Sequence, residues 1–579
     1  MSKRLFTERS YCASYSRVIF AASFGACTML GCASNDSPNG GTGGRSASQG
    51  GALGSGHGGT NASGASAMSG GASALGGNQG TSSATGGSSG NGQSAGGNAN
   101  GGTTLGSGGN GAVSSGGRST AGGSGGGSSA QGGGSNVSTG GNQGGGAAGA
   151  GGTTSTGMGG VGGNYVGTKT PGTAQTGDVT VDPAKTHQVV DGFGEADVWQ
   201  NSSSAAMQTL LWDPVNGIGL TLLRIGIESK SGTSLIMGDA ALQDGPACKK
   251  FAGDDCKVWA APWSPPASMK NNDNVNGPGG NNSCSGTNDT LKDGSYEAWA
   301  SLLAAFPALY KQKSGVDLYA VSAQNEPDFN PNYEACCYDK NQMVKLINAL
   351  GPKLAALDPP VKVLAAEPDT WGNLWGGDQY GPAILADAKA SSYVGPIATH
   401  DYGSSGVTRP SPPSNNTHHV WETECTPSDT GPITIATMIY AAFTSGGANA
   451  WHYWWTQQLV PDVKSPPPQV YALGNFSKFV RPGYYRVDVS GAPTPSTSNP
   501  LVVAFSNLRD GTVAIVVVNG GSARTLSFFV AGAAWPASVT PYVTTTSSKL
   551  AAGTAINVTA GRFSASLAAQ SVTTFVGSP

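Results

Sequence analysis

The sequence predicts an α/β protein: a (β/α)8 TIM barrel with a C-terminal side β-sandwich domain, preceded by a long disordered Gly/Ser-rich linker. Three observations carry this expectation. Eight apolar runs alternate with helical stretches over about 290 residues, the rhythm of a closed parallel barrel. The helical stretches cease near residue 487, where short apolar runs separated by turn residues take over. No GxGxxG turn opens a helix, as a doubly wound nucleotide-binding sheet would require.

The composition bounds the rest. Glycine supplies 92 of 579 residues and charged residues only 11%. That excludes a uniform globular body, a coiled coil and a highly charged disordered chain. Glycine does not recur at every third place, so collagen is excluded too. A net charge of −3 points to neither nucleic acid nor an anionic membrane surface as partner.

In chain order, Lys3, Arg4, Arg9 and Arg17 form a basic start, and residues 18–30 form an apolar stretch too short to span a bilayer. The stretch ends Met29-Leu30-Gly31-Cys32, which resembles a bacterial lipoprotein cleavage box. Residues 1–31 are therefore expected to be a signal peptide and Cys32 a lipidated residue, the one membrane attachment. Met29 stands where leucine is usual, which leaves an ordinary secretory signal open. Either way the protein is expected to be exported. Residues 32–168 are Gly, Ser, Asn, Thr and Ala with almost no aromatics. Such a segment buries too little apolar area to offset its ordering entropy. As a coil it would reach roughly 60–70 Å. His57, alone in it, reads as a solvated residue.

The barrel is expected over 178–486. Its strands are read at 189–193, 220–227, 258–263, 318–324, 361–366, 397–402, 419–424 and 448–455, with helices among others at 296–313, 341–357 and 433–445. The side β-domain is expected over 487–579, with strands at 501–505, 512–518, 527–530 and 571–576, joined by the strand 178–187 that precedes the barrel.

Catalytic side chains of such barrels sit at the C-terminal strand ends. The fourth strand ends Ser322-Ala323-Gln324-Asn325-Glu326-Pro327 and the seventh Trp421-Glu422-Thr423-Glu424. Glu326 and Glu424 thus face each other across one rim. Two facing carboxylates in an aromatic-lined site are what glycoside hydrolysis needs, one to protonate the leaving oxygen and one to attack the sugar or activate water. Other acids compete for the roles: Glu195, Glu228, Glu367 and Glu422. Glu422 is two residues before Glu424, so on a regular strand it would share its face. Glu367 ends the fifth strand and is a candidate for supporting the site or touching substrate.

His418 and His419 are strand neighbours that face opposite ways, which disfavours a shared metal. No metal and no cofactor is implied. Six cysteines follow the linker: Cys248, Cys256, Cys284, Cys336, Cys337 and Cys425. An even number in an exported chain suggests disulfides, with Cys248–Cys256 the best local pair.

These residues resemble glycoside hydrolase family 30. The resemblance runs through Asp191-Gly192-Phe193-Gly194, Leu223-Arg224-Ile225, Ala261-Pro262-Trp263-Ser264-Pro265-Pro266 and the Asn325-Glu326-Pro327 segment. It continues through His400-Asp401-Tyr402, the Glu424 strand, the 474–484 segment and the 568–576 stretch, in chain order over about 178–579. It implies a retaining mechanism with Glu326 as acid/base and Glu424 as nucleophile, Asn325 donating to the sugar 2-hydroxyl, and a monomer whose partner is a polysaccharide. Arg224 and Tyr402 are expected to keep Glu424 ionised. His400 is expected to hydrogen-bond within the site, and Trp263 and Trp454 to offer flat faces to sugar rings.

The segments 325–328, 332–336 and 479–484 look like the bacterial glucuronoxylanases of subfamily 8. Those enzymes usually carry an arginine just after the eighth strand to grip glucuronate. Here the stretch reads Trp454-Trp455-Thr456-Gln457-Gln458, and glutamine cannot form a bidentate charge-assisted pair with a carboxylate. The expectation is therefore an endo-β-1,4-xylanase tolerant of undecorated xylan. A β-1,6-galactanase or β-1,6-glucanase is the alternative within the family, and a non-catalytic carbohydrate-binding surface protein the alternative outside it.

Overall fold

The structure, a computed structural model, describes residues 164–579 except 201, 229–235, 280–281 and 377–378. The expected signal peptide, the Cys32 anchor and residues 32–163 of the linker lie outside the described residues. Residues 164–177 form no helix or strand and lie along the C-terminal domain. The Tyr165 N–H donates to the Leu508 carbonyl, and the Lys169 ammonium reaches the Trp535 carbonyl at 2.7 Å while lying over the Trp535 ring.

A first strand, β1 (Asp178–Val189), belongs to the side sheet. Eight parallel strands then close a barrel. They are β2 (Gly192–Asp197), β3 (Leu222–Ile227), β4 (Lys257–Pro262), β5 (Leu318–Ser322), β6 (Lys362–Ala366), β7 (Val394–His400), β8 (Val420–Glu424) and β9 (Ala450–Tyr453), with β9 pairing back onto β2. All eight expected strands are present. The first lies further along than 189–193, because the chain turns at Val190 and Asp191, whose N–H groups are taken by the carbonyls of Tyr484 and Asn449.

The outer ring contains α1 (Ala205–Trp212), α2 (Ala241–Ala252), α3 (Tyr296–Ser314), α4 (Lys340–Ala355), α5 (Trp371–Trp375), α6 (Tyr380–Ala386), α7 (Ala388–Tyr393), α8 (Pro432–Thr444), α9 (Thr456–Leu459) and α10 (Pro468–Ser477). Local signals set their ends. Asp339 and Gln342 form a capping box at the start of α4, and Gly315, at φ 77°, closes α3 in the left-handed conformation. One crossover departs from the expected alternation: residues 401–419, between β7 and β8, contain no helix. A buried, bidentate ion pair fastens that segment instead, Arg409 to Asp401 at 2.7 and 2.8 Å.

Strand alternation decides what fills the barrel. Ala196, Leu222, Trp259, Ala320, Leu364, Ala398, Trp421 and Ala450 form one inner cluster. Alanine on half of the strands leaves room for the two indoles and for His452. Gly194 belongs to the same economy of space: a Cβ there would sit 2.4 Å from the Leu222 carbonyl oxygen and 2.6 Å from the His452 ring.

The C-terminal domain is a ten-stranded sheet. Its longer strands run in the order β14 (Ser538–Thr544), β16 (Ser571–Gly577), β12 (Val513–Asn519), β11 (Leu501–Ser506), β10 (Tyr485–Ser490), β1, β13 (Arg524–Val530) and β15 (Arg562–Leu567). The sheet curls over an apolar core. Phe575 near one end meets Phe528 and Phe563 near the other, at 5.4 and 5.5 Å. Strands β11 and β12 are buried on both faces, one toward this core and one toward the barrel, where Phe505 packs against Phe443 of α8 at 5.6 Å. Asn475 of α10 donates to the Tyr542 carbonyl and to the Thr574 hydroxyl, adding polar ties. The sheet also takes in β10, which begins just before the expected boundary at 487, because β10 pairs with β1.

Cys248–Cys256 is a disulfide, as expected, and Cys284–Cys337 is a second. Four of the six cysteines are thus paired, where their even number suggested disulfides. Cys336 and Cys425 are buried thiols. Cys425 lies against Met438, and Cys336 adjoins Cys337, which is already paired with Cys284.

Candidate active site

The C-terminal end of the barrel gathers ionisable groups from five strands. Arg224 points inward from β3, Ser322 ends β5 with Asn325 and Glu326 just beyond, Glu367 follows β6, His400 ends β7 and Glu424 ends β8. Among the described residues, ligand atoms of Glu326, His400 and Glu424 lie within 4.8 Å of one another.

The two carboxylates differ in setting. Glu424 accepts from the Arg224 guanidinium and, at 2.6 Å, from the Tyr402 hydroxyl. Both contacts stabilise its ionised form. Arg224 also binds the Asn325 side-chain oxygen and lies 3.2 Å from Glu367. Glu326 stands in the left-handed region at φ 45°, a conformation unfavourable for a non-glycine residue and held by its surroundings. Its N–H donates to the Glu367 carbonyl at 3.0 Å, and its carboxyl lies 3.2 Å from His400 Nδ1. Burial pushes the Glu326 carboxyl up to about 7; the His400 contact opposes and the neighbouring Glu424 charge adds to the rise. The two carboxyls thus meet different surroundings, hydrogen-bond donors around Glu424 and burial around Glu326, and Glu326 is the one placed to carry a proton near neutrality.

The remaining expected residues fall as follows. Arg224 and His400 are as fully buried as Glu424, and each lies against a carboxylate of the site, Arg224 on Glu424 and His400 on Glu326. Trp263 and Trp454 stand at the mouth but are only 1% and 3% exposed. Both pack against Trp199, Trp263 tilted at 5.4 Å and Trp454 edge-on at 5.9 Å, and Arg224 lies over both rings. Half-buried Trp199, in the left-handed region at φ 54°, is the exposed edge of this aromatic wall. The sequence reading missed it, because Trp199 lies beyond the strand end and carries no motif signal. The segment after Glu326 is stapled to the long loop after β4 by Cys284–Cys337 and by the buried Lys270 ammonium, which donates to the Ala335 carbonyl and pairs with Asp289 within the loop at 2.6 Å.

Among the competing acids, Glu195 lies behind β2, accepting from Thr456, and burial beside Asp197 and Asp244 raises it well above the usual carboxylate range. Glu228 is half-buried and adjoins the undescribed 229–235 segment. Glu422 does not share the face of Glu424. The β7–β8 register slips, pairing Thr399 with Glu422 but His400 with Glu424. That bulge turns Glu424 inward and leaves Glu422 buried in the field of Asp401 and Arg409, its carboxyl raised well above the ordinary range by burial first. Glu367 is within the site.

Glu326, His400 and Glu424 offer three potential metal ligands. Their chemistry fits a cation poorly, since Arg224 already neutralises Glu424 and His400 is pushed up to about 10. Burial opposes that rise, and the Glu424 charge with contacts to Glu326 and Glu367 outweighs it. A protonated imidazole has no lone pair to give.

Residues 246–423 match the glycosyl hydrolase family 30 TIM-barrel domain. The chain is 29% identical over 421 residues to glucuronoxylanase XynC of Bacillus subtilis (strain 168), spanning 69% of this chain and 91% of that protein. It superposes on the glycoside hydrolase family 30 subfamily 8 xylanase Xyn30A from Clostridium acetobutylicum with 30% identity and a TM-score of 0.61, covering 70% of this chain and 100% of that one. A GH30 endoxylanase from Clostridium papyrosolvens C71 matches with 31% identity and a TM-score of 0.57, over 69% and 100% of the two chains.

Proposed function

The chain belongs to glycoside hydrolase family 30, and on that premise we propose that it is a retaining endo-β-1,4-xylanase acting on (glucurono)xylan. The observation that carries this reading is the facing pair Glu326 and Glu424, with carboxyl oxygens within 4.8 Å. That spacing supports a retaining enzyme at ~5–5.5 Å over an inverting one at ~6.5–9.5 Å, where water must fit between.

Glu424, ionised by Arg224 and Tyr402, attacks the anomeric carbon. The glycosidic C–O bond breaks, and the leaving oxygen takes the proton of Glu326. Water then adds to the same carbon, passes a proton to Glu326, and Glu424 departs as a carboxylate. Asn325, whose carbonyl oxygen is held by Arg224, offers its amide hydrogens to the sugar 2-hydroxyl. Trp199, Trp263 and Trp454 provide the apolar wall.

The xylan assignment is supported by the likeness to the subfamily 8 xylanase. Tolerance of undecorated chains is supported by the replacement of an arginine by glutamines: Gln457 is exposed and Gln458 half-buried on α9. The same glutamines leave a β-1,6-glycan as the second reading. Product analysis of the full chain on glucuronoxylan, unbranched xylan, β-1,6-galactan and β-1,6-glucan, with Glu424→Gln as blank, tests both. Cleavage of both xylans is expected. Cleavage of a β-1,6-glycan alone would reject the xylanase reading and leave the mechanism standing, whereas affinity without products would favour a binding protein.

The two disulfides support export to an oxidising compartment. We place the enzyme on a lipid-anchored tether at Cys32. Loss of fatty-acid labelling in Cys32→Ala is the expected result, and unchanged labelling would reject the anchor.

A further inference from the structure

Three carboxylates, not two, surround the His400 imidazole. Glu326 lies 3.2 Å from Nδ1, while Glu367 and Glu424 lie 3.5 and 3.7 Å from Nε2. The proposed chemistry assigns no step to Glu367, yet its placement is elaborate. It is fully buried and left-handed at φ 60°. The Ser322 hydroxyl donates to its carboxylate and Arg224 lies 3.2 Å away. Its carbonyl oxygen accepts the N–H that fixes the Glu326 backbone.

We propose that Glu367 is a positioning residue that holds His400 as an imidazolium, the common counter-ion of Glu326 and Glu424. The proposal rests on the retaining reading and deepens it. Before reaction, Arg224 and His400 are cationic, Glu367 and Glu424 anionic, and Glu326 protonated, so the cluster is neutral. When Glu424 bonds to the anomeric carbon and Glu326 gives its proton to the leaving oxygen, the negative charge has moved from Glu424 to Glu326. The cluster is neutral again. His400 touches both carboxylates, so neither stage leaves a buried charge uncompensated, which would cost several kcal/mol.

Burial alone would make the imidazole neutral. The three carboxylates facing it outweigh that: Glu326 after β5, Glu367 after β6 and Glu424 on β8. The neutral Tyr402 ring stands edge-on at 5.9 Å, and the opposing Arg224 cation of β3 lies behind the last two carboxylates, which it also pairs. Asp369 bears on Glu326 rather than on His400. The rise of His400 to about 10 accords with this arrangement.

The test is Glu367→Gln in the full chain, with two readouts. Nitrogen-15 NMR of the imidazoles, with His400 assigned from a His400→Gln spectrum, should show both ring nitrogens protonated at pH 8 in the parent. In Glu367→Gln the His400 midpoint should fall by about one unit or more. On an activated aryl glycoside, where release of the sugar from Glu424 limits turnover, the acid limb of kcat should move up by about one unit as Glu326 loses its counter-charge. Glu367→Asp, which keeps the charge, should restore much of both. An unmoved His400 titration would overturn the proposal, as would a kcat lowered by one factor at every pH. The NMR arm needs no substrate, so it stands apart from the glycosidase reading, which fails instead if the parent cleaves nothing.

Discussion

His400 and His452 are both fully buried inside the same barrel, yet they end in opposite protonation states. His452 sits below the mouth between Trp259 and Trp421, at 5.6 and 5.7 Å. Its Nε2 accepts from the Trp259 indole at 3.2 Å and its Nδ1 donates to the Glu422 carbonyl at 2.9 Å. Burial drives it down to about 4. His400 pays the same desolvation penalty and is nonetheless held charged, because three carboxylates converge on it. Burial sets the sign for an isolated ionisable group, and counter-charges can reverse it. The barrel thus has a neutral, aromatic-filled interior and a mouth where charges are matched to one another.

The comparison can be broken at the mouth first. Glu424→Gln should lower turnover at least 10³-fold with an unchanged fold, measured by product release and thermal melting, and Glu326→Gln should cost about 10²–10⁴-fold on polysaccharide. The Glu326 loss should shrink for an activated leaving group. Retained wild-type rate in Glu424→Gln would show that the mouth is not the reacting centre.

A second break lies behind β2, where Asp244 meets Asp197 with no cation in contact among the described residues. Burial raises Asp244 to about 6 from an unfolded 3.8. Folded protein therefore binds the extra proton between these values, and this contribution to stability, full only below 3.8, is lost as pH rises toward about 6. Asp244→Asn should remove that slope, a difference of about 2–3 kcal/mol between pH 4 and pH 7 in denaturant titrations. An unchanged slope would mean that the cluster is not protonated in the folded protein.

Below the mouth, His452→Phe should cost about 1–3 kcal/mol in unfolding free energy by leaving the Trp259 N–H unpaired. It should not move the pH profile of activity. A shifted profile would mean that the interior titrates with the mouth. The smallest effect is expected at the aromatic wall: Trp199→Ala should raise KM about tenfold with kcat little changed, roughly 1–1.5 kcal/mol of lost contact.

Much of this was legible in the chain. Strand ends at Glu326 and Glu424, and helices such as α3 and α8, followed from period and turn residues, because those signals are local. The side sheet was read less fully. Strands β14 and β15 were missed, since Pro541 interrupts one and the other alternates polar with apolar residues beside a Gly turn. Trp199 was missed for want of a local signal. Glu422 was judged to share the face of Glu424, which is true of a regular strand and false across a bulge that only pairing with β7 imposes.

By itself the sequence determined the kind of fold and the strands beside whose ends Glu326 and Glu424 lie. Apolar periodicity, turn residues and the Asn325-Glu326-Pro327 segment are properties of neighbours along the chain. Only the tertiary structure decided the protonation states, the role open to Glu367, the burial of Arg224 beneath Trp263 and Trp454, and which cysteines meet. Each depends on groups many residues apart, such as Arg224 and Glu424 joined across 200 positions. A carboxyl or an imidazole is acid, base or counter-ion only by virtue of the charges that the closed barrel sets against it.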